Sequence, residues 1–390
     1  MLLLKNLSYT ARLAFASFVF VSSMILSTST NAQEATTDKY IGALLPITGQ
    51  YKHLGEMVQN SFEMAWYDYA PKDFHLSLFD TESDNSGARN AYTRATENNL
   101  QLIVGPLTRR STSTVRNNFN SNTTILSLSN DASNAQGGLY TLGYTPESQG
   151  AAIAQILEKQ NFERAILFVP DNDYGNRVAS GIGMLNTGRI VHTIYYPSLS
   201  PDLSTQVKYL VNNKEYYQYD VIILPDGNPQ TIRLLAGQLA YYDAQDPYMK
   251  TDSEQKKIKK NVDVKKQIPM IGGLGFHALN GAYKEPPLLN GYYIRIPHTT
   301  RKADFDKRYQ DLYKKKPTPI ARLAYDSMAL AIISMNTDNY KQKLQQEDGF
   351  SGISGIIKMD DYGTVMRQFQ VMKIGRTNSK FQYNVTVPSR

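Results

Sequence analysis

The chain has 390 residues, 41% of them hydrophobic and 20% charged, with a formal net charge of +7. That length exceeds the ~250–300 residues at which one hydrophobic core stops growing, so two domains are expected, and the composition excludes a disordered or membrane-embedded chain. There is no cysteine, which excludes a thiolate metal site, a cysteine nucleophile and a lipid-bearing N-terminal cysteine, and suits an oxidising compartment.

Lys5 and Arg12 precede an apolar run from Leu13 to Leu26, and Thr30-Asn31-Ala32 offers small residues for cleavage. Residues 1–32 therefore read as a cleavable signal peptide. The run is shorter than the ~20 apolar residues a membrane span needs. Export to the periplasm as a soluble, non-lipidated protein is the expectation. The basic charge is concentrated in Lys256-Lys257-Ile258-Lys259-Lys260, Lys265-Lys266 and Lys314-Lys315-Lys316. Runs of this kind are solvated loops and helix ends, so nucleic acid is not an expected partner.

From Tyr40 onward, short apolar runs alternate with helix-period segments, the signature of βαβ units that feed a mostly parallel sheet. Expected strands are Tyr40 to Leu45, Leu76 to Asp80, Leu102 to Gly105, Thr124 to Ser129, Ala165 to Val169, Ile190 to Tyr195, Val221 to Leu224, Pro269 to Gly272 and Tyr292 to Ile296. Leu54, Val58, Phe62, Ala65 and Tyr69 mark the first helix by their spacing. Thr145-Pro146, a capping hydroxyl followed by proline, starts a helix to Lys159. Helices over Arg301 to Lys315 and Ile320 to Met335 are separated at Pro317 and Pro319. A late strand pair, Ile353 to Met359 and Gln368 to Ile374, is joined by the turn Asp360-Asp361-Tyr362-Gly363.

Several catalytic and metal motifs fail. The five histidines are scattered, with none at i, i+4. Asp80, Glu82 and Asp84, and Asp171 to Gly175, depart from calcium-loop spacing and read as capping or solvated acids. Gly272-Gly273-Leu274-Gly275 lacks the lysine of a phosphate loop and the spacing of a dinucleotide fingerprint. Ser127 and Ser129 sit in no nucleophile elbow. The chain reads as a non-enzyme with no cofactor and no metal.

Ile41-Gly42-Ala43-Leu44-Leu45-Pro46-Ile47-Thr48-Gly49-Gln50-Tyr51 with Leu54-Gly55, then Ile103 to Leu107, Leu126 to Ser129, Leu167 to Asp171 with Tyr174-Gly175, Ala324-Tyr325-Asp326 and Gly349 to Gly355 follow one another in order. In that order they resemble the landmarks of type I periplasmic binding proteins of the leucine-binding-protein family. Pro225-Asp226-Gly227, Gly272 to Gly275 and Phe350 to Gly355 resemble its penicillin-binding-protein activator branch, whose members regulate peptidoglycan synthases.

The resemblance implies an α/β fold of two interwoven doubly wound lobes joined by a three-strand hinge. One lobe would hold 38–144 plus 298–348, the other 145–297 plus 349–390. It also implies a ligand cleft lined by Gln50, Tyr51, Thr108, Arg109, Ser129, Asn130 and Tyr174, with Asp226 as a substitute for the missing acidic anchor. Ligands of open α/β sheets do bind beyond the carboxyl ends of strands. Arg109 stands where the amino-acid branch has a small hydroxyl residue. Tyr325 and Asp326 are expected to brace the lobe interface.

Two functions stay open at this point. The first is capture of a small polar solute, such as an amino acid or an anion held partly by Arg109, for an inner-membrane ABC transporter. The second is a cleft without small ligand and docking on a peptidoglycan synthase. Either would act as a monomer or weak dimer.

Overall fold

In a computed structural model the described residues are 38–185, 188–198, 200–246 and 267–390. The expected signal peptide and the Lys256 to Lys266 loop lie outside them. The first sheet has strands β1 (Lys39–Leu45), β2 (Phe74–Asp80), β3 (Leu102–Val104), β4 (Thr124–Ser127) and β5 (Leu139–Thr141), all parallel in the order β2-β1-β3-β4-β5. Its inner strands β1, β3 and β4 are buried almost throughout because helices cover both faces. Ile41, Ala43 and Leu45 face Val58, Phe62 and Ala65 of α1 (Lys52–Tyr69). Leu44 and Ile103 face Ala91, Tyr92 and Ala95 of α2 (Asn85–Glu97) and Val115 of α3 (Arg109–Asn117).

The second sheet starts with the parallel strands β6 (Ala165–Pro170), β7 (Ile190–Tyr196), β8 (Val221–Leu224), β9 (Met270–Gly272) and β10 (Tyr292–Arg295). It continues into antiparallel β11 (Phe350–Gly352), β12 (Gly355–Met359), β13 (Val365–Ile374) and β14 (Ser379–Pro388). Its order is β11-β12-β13-β10-β9-β8-β6-β7, with β14 beside β13. Helices α4 (Pro146–Lys159) and α5 (Asp173–Met184) pack on one face. Helices α6 (Ser204–Asn212), α7 (Lys214–Tyr217) and α8 (Pro229–Tyr241), with the short α9 (Leu274–Ala278), lie on the other.

After β10 the chain returns to the first sheet as α10 (Thr300–Tyr313), α11 (Pro319–Met335) and α12 (Tyr340–Leu344), then enters β11. Each buried Leu, Ile or Phe of these cores contributes roughly 1.5–3 kcal/mol. Among the described residues, no helix is long and apolar enough to cross a membrane.

Thr145 caps α4, its Oγ1 accepting from Ser148 N at 3.0 Å, with Pro146 following as expected. The same hydroxyl donates to Ser389 O at 2.7 Å and ties the helix start to the end of β14. The Asp360 turn joins β12 to β13, Asp360 Oδ1 accepting from Tyr362 N and Thr364 N.

The expected strand over Ile353 to Met359 is interrupted. Asp326 of α11 takes the N–H groups of Ile353 and Ser354 at 2.7 and 2.9 Å, so those residues bend away from the ladder between β11 and β12. Three strands, β5, β11 and β14, were not among those expected. The first two have three residues each, too few for a pattern. The third alternates, with Tyr383, Val385 and Val387 turned inward and Asn384 and Thr386 outward.

Candidate functional site

The strands of both sheets end in loops that lead into helix N-termini, and these loops position the expected cleft residues. Two glycines allow the close fit of loop and helix. A side chain at Gly55 would lie 2.1 Å from Pro46 O, and one at Gly175 would lie 2.0 Å from Pro170 O.

In the loop after β1, Asp80 Oδ1 accepts from Ile47 N at 2.9 Å and from Glu82 N at 2.8 Å, while Thr48 Oγ1 donates to Oδ2 at 2.6 Å. Burial pushes this carboxyl up, but these hydrogen bonds outweigh it and hold it below the ordinary carboxylate value. Asp84 caps α2 through Gly87 N. Asp80 and Asp84 are therefore occupied by backbone N–H groups of the neighbouring loops and of α2. Gln50 is exposed beside them, and Tyr51 N donates to Ser83 Oγ at 3.0 Å.

Thr108 caps α3, its Oγ1 accepting from Ser111 N at 3.1 Å. Ser129 is buried, its Oγ accepting from Asp131 N at 3.1 Å. Arg109 is engaged on both sides. Its Nε lies 2.5 Å from Asp131 Oδ2, and its Nη1 lies 3.1 Å from Asp173 Oδ2 at the start of α5. Arg177, one turn along α5, pairs with Glu147 of α4 at 2.7 Å and donates to Asn130 O at 3.1 Å. It also approaches Asp131 at 3.6 Å and Asp173 at 3.7 Å.

Residues that follow the first sheet thus meet residues of the helices on the second. Three carboxylates, Asp131, Glu147 and Asp173, surround two guanidiniums, Arg109 and Arg177. An anion brought here would meet an excess of negative charge, and the partly exposed Arg109 is already flanked by Asp131 and Asp173.

Tyr174 and Asp226 lie deeper on the second sheet. The Tyr174 hydroxyl donates to Pro225 O at 2.7 Å. The Asp226 carboxylate accepts from the Tyr196 hydroxyl at 2.5 Å and from Asn228 N at 2.6 Å. Burial, and after it the Asp226 charge, pushes both tyrosine hydroxyls well above their ordinary value. Asp226 is turned to its own loop.

The structure therefore brings together Thr108, Arg109, Ser129 and Asn130, and it sets Asp226 with Tyr174 and Tyr196 in a separate group. Sequence reasoning missed Asp131, Glu147 and Arg177. The i, i+4 spacing of Asp173 and Arg177 was the one available signal.

Where the chain passes between the sheets, the Tyr144 hydroxyl donates to Ser354 O at 2.5 Å. Arg367 of β13 is fully buried, its guanidinium 4.2 Å from the centre of the Tyr144 ring. Tyr325 donates to Asp68 Oδ2 at 2.6 Å, and Asp326 holds Ile353 and Ser354. Asp326 thus ties α11 to the segment entering the second sheet, the bracing expected of it, whereas Tyr325 ties α11 to α1 on the first sheet and not to the second. Away from this region, a recess of about 180 Å³ is bordered by Thr124, Tyr140, Lys341 and Gln345 at the opposite ends of β4 and β5. Ligand pockets measure ~300–1,000 Å³.

Two doubly wound sheets, three passages between them and loops converging beyond the strand ends define a type I periplasmic binding-protein fold. Solved structures agree. A putative branched-chain amino acid ABC transporter from Rhodospirillum rubrum matches with a TM-score of 0.69 at 14% identity, covering 88% of this chain and 99% of that one. The branched-chain amino acid substrate-binding protein LivJ of Streptococcus pneumoniae, in complex with isoleucine, matches with a TM-score of 0.55 at 19% identity, covering 90% and 99%.

In sequence, part of the chain is similar to activators of penicillin-binding proteins. Residues 25–188 match the family described as LppC putative lipoprotein. The penicillin-binding protein activator LpoA of Photobacterium profundum is 27% identical over 144 residues, 35% of this chain and 23% of that protein. That of Haemophilus ducreyi is 25% identical over 223 residues, 52% and 36%. The matched segments thus span about a quarter to a third of those relatives' length. The family description speaks of a lipoprotein, so the expectation of a non-lipidated protein has no support from these relatives; this chain itself contains no cysteine.

Proposed function

We propose that this protein is a non-enzymatic periplasmic interaction protein that docks on a peptidoglycan synthase of the penicillin-binding class and regulates it. The carrying observation is the state of the cleft. The groups that would grip a solute face one another, with Arg109 between Asp131 and Asp173 and Arg177 between Glu147 and Asn130. In this reading residues 38–144 with 298–348 and residues 145–297 with 349–390 act as two lobes latched by their own charges. The sequence kinship with penicillin-binding protein activators supports the choice of partner.

A second reading keeps the cleft as a receptor for a small polar solute delivered to a transporter. The excess of carboxylate over guanidinium favours it for one class alone, a solute that presents an ammonium group to Asp131 or Asp173. Gln50, Tyr51, Thr108, Ser129 and Tyr174 would then complete the lining once the latch opens.

Surface plasmon resonance against the periplasmic part of a peptidoglycan synthase from the same organism distinguishes the two. Saturable binding that free amino acids leave unchanged supports docking. Absence of binding to any such synthase overturns it.

A further inference from the structure

Strand β7 (Ile190–Tyr196) ends the order of the second sheet, so among the described residues one side of its backbone has no strand beside it. Such edges template pairing with another chain unless charge, proline or brevity blunts them. The other terminal strands are blunted. Strand β2 carries Asp80 and the His75–Asp38 contact, β5 and β11 have three residues each, and β14 carries Lys380 and Pro388. The seven residues of β7, IVHTIYY, include no Asp, Glu, Lys, Arg or Pro.

Both layers beside this edge expose apolar side chains. On the α5 side these are Met184 at 51%, Leu185 at 39% and Tyr195 at 46% exposure. On the other side Tyr209 lies beside His192, whose ring stacks on Tyr217 at 4.6 Å, and the exposed Tyr216 packs edge-on against Tyr217.

We propose that two copies of this chain pair through β7, antiparallel about a two-fold axis, so that their second sheets become one. A two-fold contact sets each surface against itself, and charge of either sign would then repel. In a chain of formal charge +7 this strip is uncharged, which makes a second copy its fitting occupant. Thr193, Ile194 and Tyr195 supply β-branched and aromatic partners, the pairs that stabilise facing strands. The extra residue Val191, where the register with β6 shifts, twists the start of the strand and confines pairing to His192–Tyr196. The contact is short and the dimer weak.

Sedimentation velocity of the full chain across the micromolar range tests the proposal. The wild type is expected to pass from monomer to dimer with concentration. Tyr195→Lys, an exposed position, is expected to weaken pairing by about tenfold or more. An equimolar mixture of Tyr195→Lys with Tyr195→Glu is expected to restore it, which a misfolded variant could not do. A wild type that stays monomeric throughout overturns the proposal, as it would if the edge serves a strand of another protein. A Tyr195→Lys dimer of undiminished strength, or a charge-paired mixture that stays monomeric, overturns it as well.

Discussion

Arg109, at the start of α3, donates to Asp173, at the start of α5, over 3.1 Å. The two residues belong to helices on different sheets, so this bond, with that of Arg177 to Asn130 O, spans the region where a binding protein of this fold would enclose its ligand.

The two guanidiniums are expected to differ in weight. Arg109 and Asp173 are more than half exposed, at 57% and 63%, whereas Arg177 and Glu147 are 17% and 15% exposed. Exposed pairs contribute about 0–1 kcal/mol, and removing one partner of a buried pair costs about 3–5 kcal/mol. Urea unfolding should show Arg109→Ala losing less than about 1 kcal/mol and Arg177→Met losing about 3 kcal/mol. Equal losses would mean that Arg177 is not the anchor of the network.

Salt should open the latch. Exposed ion pairs are screened over a Debye length of about 8 Å at physiological ionic strength and about 3 Å at 1 M. The radius of gyration from solution scattering is expected to grow with added salt in the wild type. In Asp173→Asn it should start larger and respond less. A radius indifferent to salt and to the substitution would show that these charges do not hold the sheets together.

The passages between sheets titrate. Burial pushes the Asp326 carboxyl up to about 6, against the opposing pull of the Ile353 and Ser354 N–H groups and of Arg367, while Tyr144 faces the same group. Because the folded value lies above the ordinary 3.8, the native state holds the proton more tightly. The contribution of Asp326 is therefore fully present below about 3.8 and declines as pH rises through about 6. The stability of the wild type relative to Asp326→Asn should fall across that interval. A difference that stays flat with pH removes Asp326 from the titration.

Gly352 leaves room for that carboxylate. A methyl group there would sit 2.5 Å from Asp326 Cγ and Oδ1. Gly352→Ala is expected to cost about 1–3 kcal/mol, measured by thermal or denaturant unfolding. A neutral result would mean that β11 shifts freely against α11, and the Asp326 clamp would lose its structural meaning.

The fold was legible because βαβ units announce themselves by apolar runs at regular intervals, and Thr145-Pro146 marks a helix start by its chemistry alone. Short strands such as Leu139–Thr141 carry no pattern to read, and the break at Ile353-Ser354 depends on Asp326, 27 residues away from the first of them. The site was legible in part. Arg109, Ser129 and Asn130 do come together, but sequence spacing does not say that Asp131 and Asp173 flank Arg109. Pairings between segments 22 to 64 residues apart are set by how the loops meet, and local propensity is silent on them.

If the latch stands in place of a small ligand, a thermal-shift screen of the purified protein will find none. The panel comprises amino acids, small carboxylates, nucleosides and sugars. A ligand at a hundred times its dissociation constant would add about 2.7 kcal/mol and raise the midpoint by a few degrees. No shift is expected from any of them. A reproducible rise with one solute, lost in Arg109→Ala or Asp173→Asn, would contradict it and make the protein a receptor.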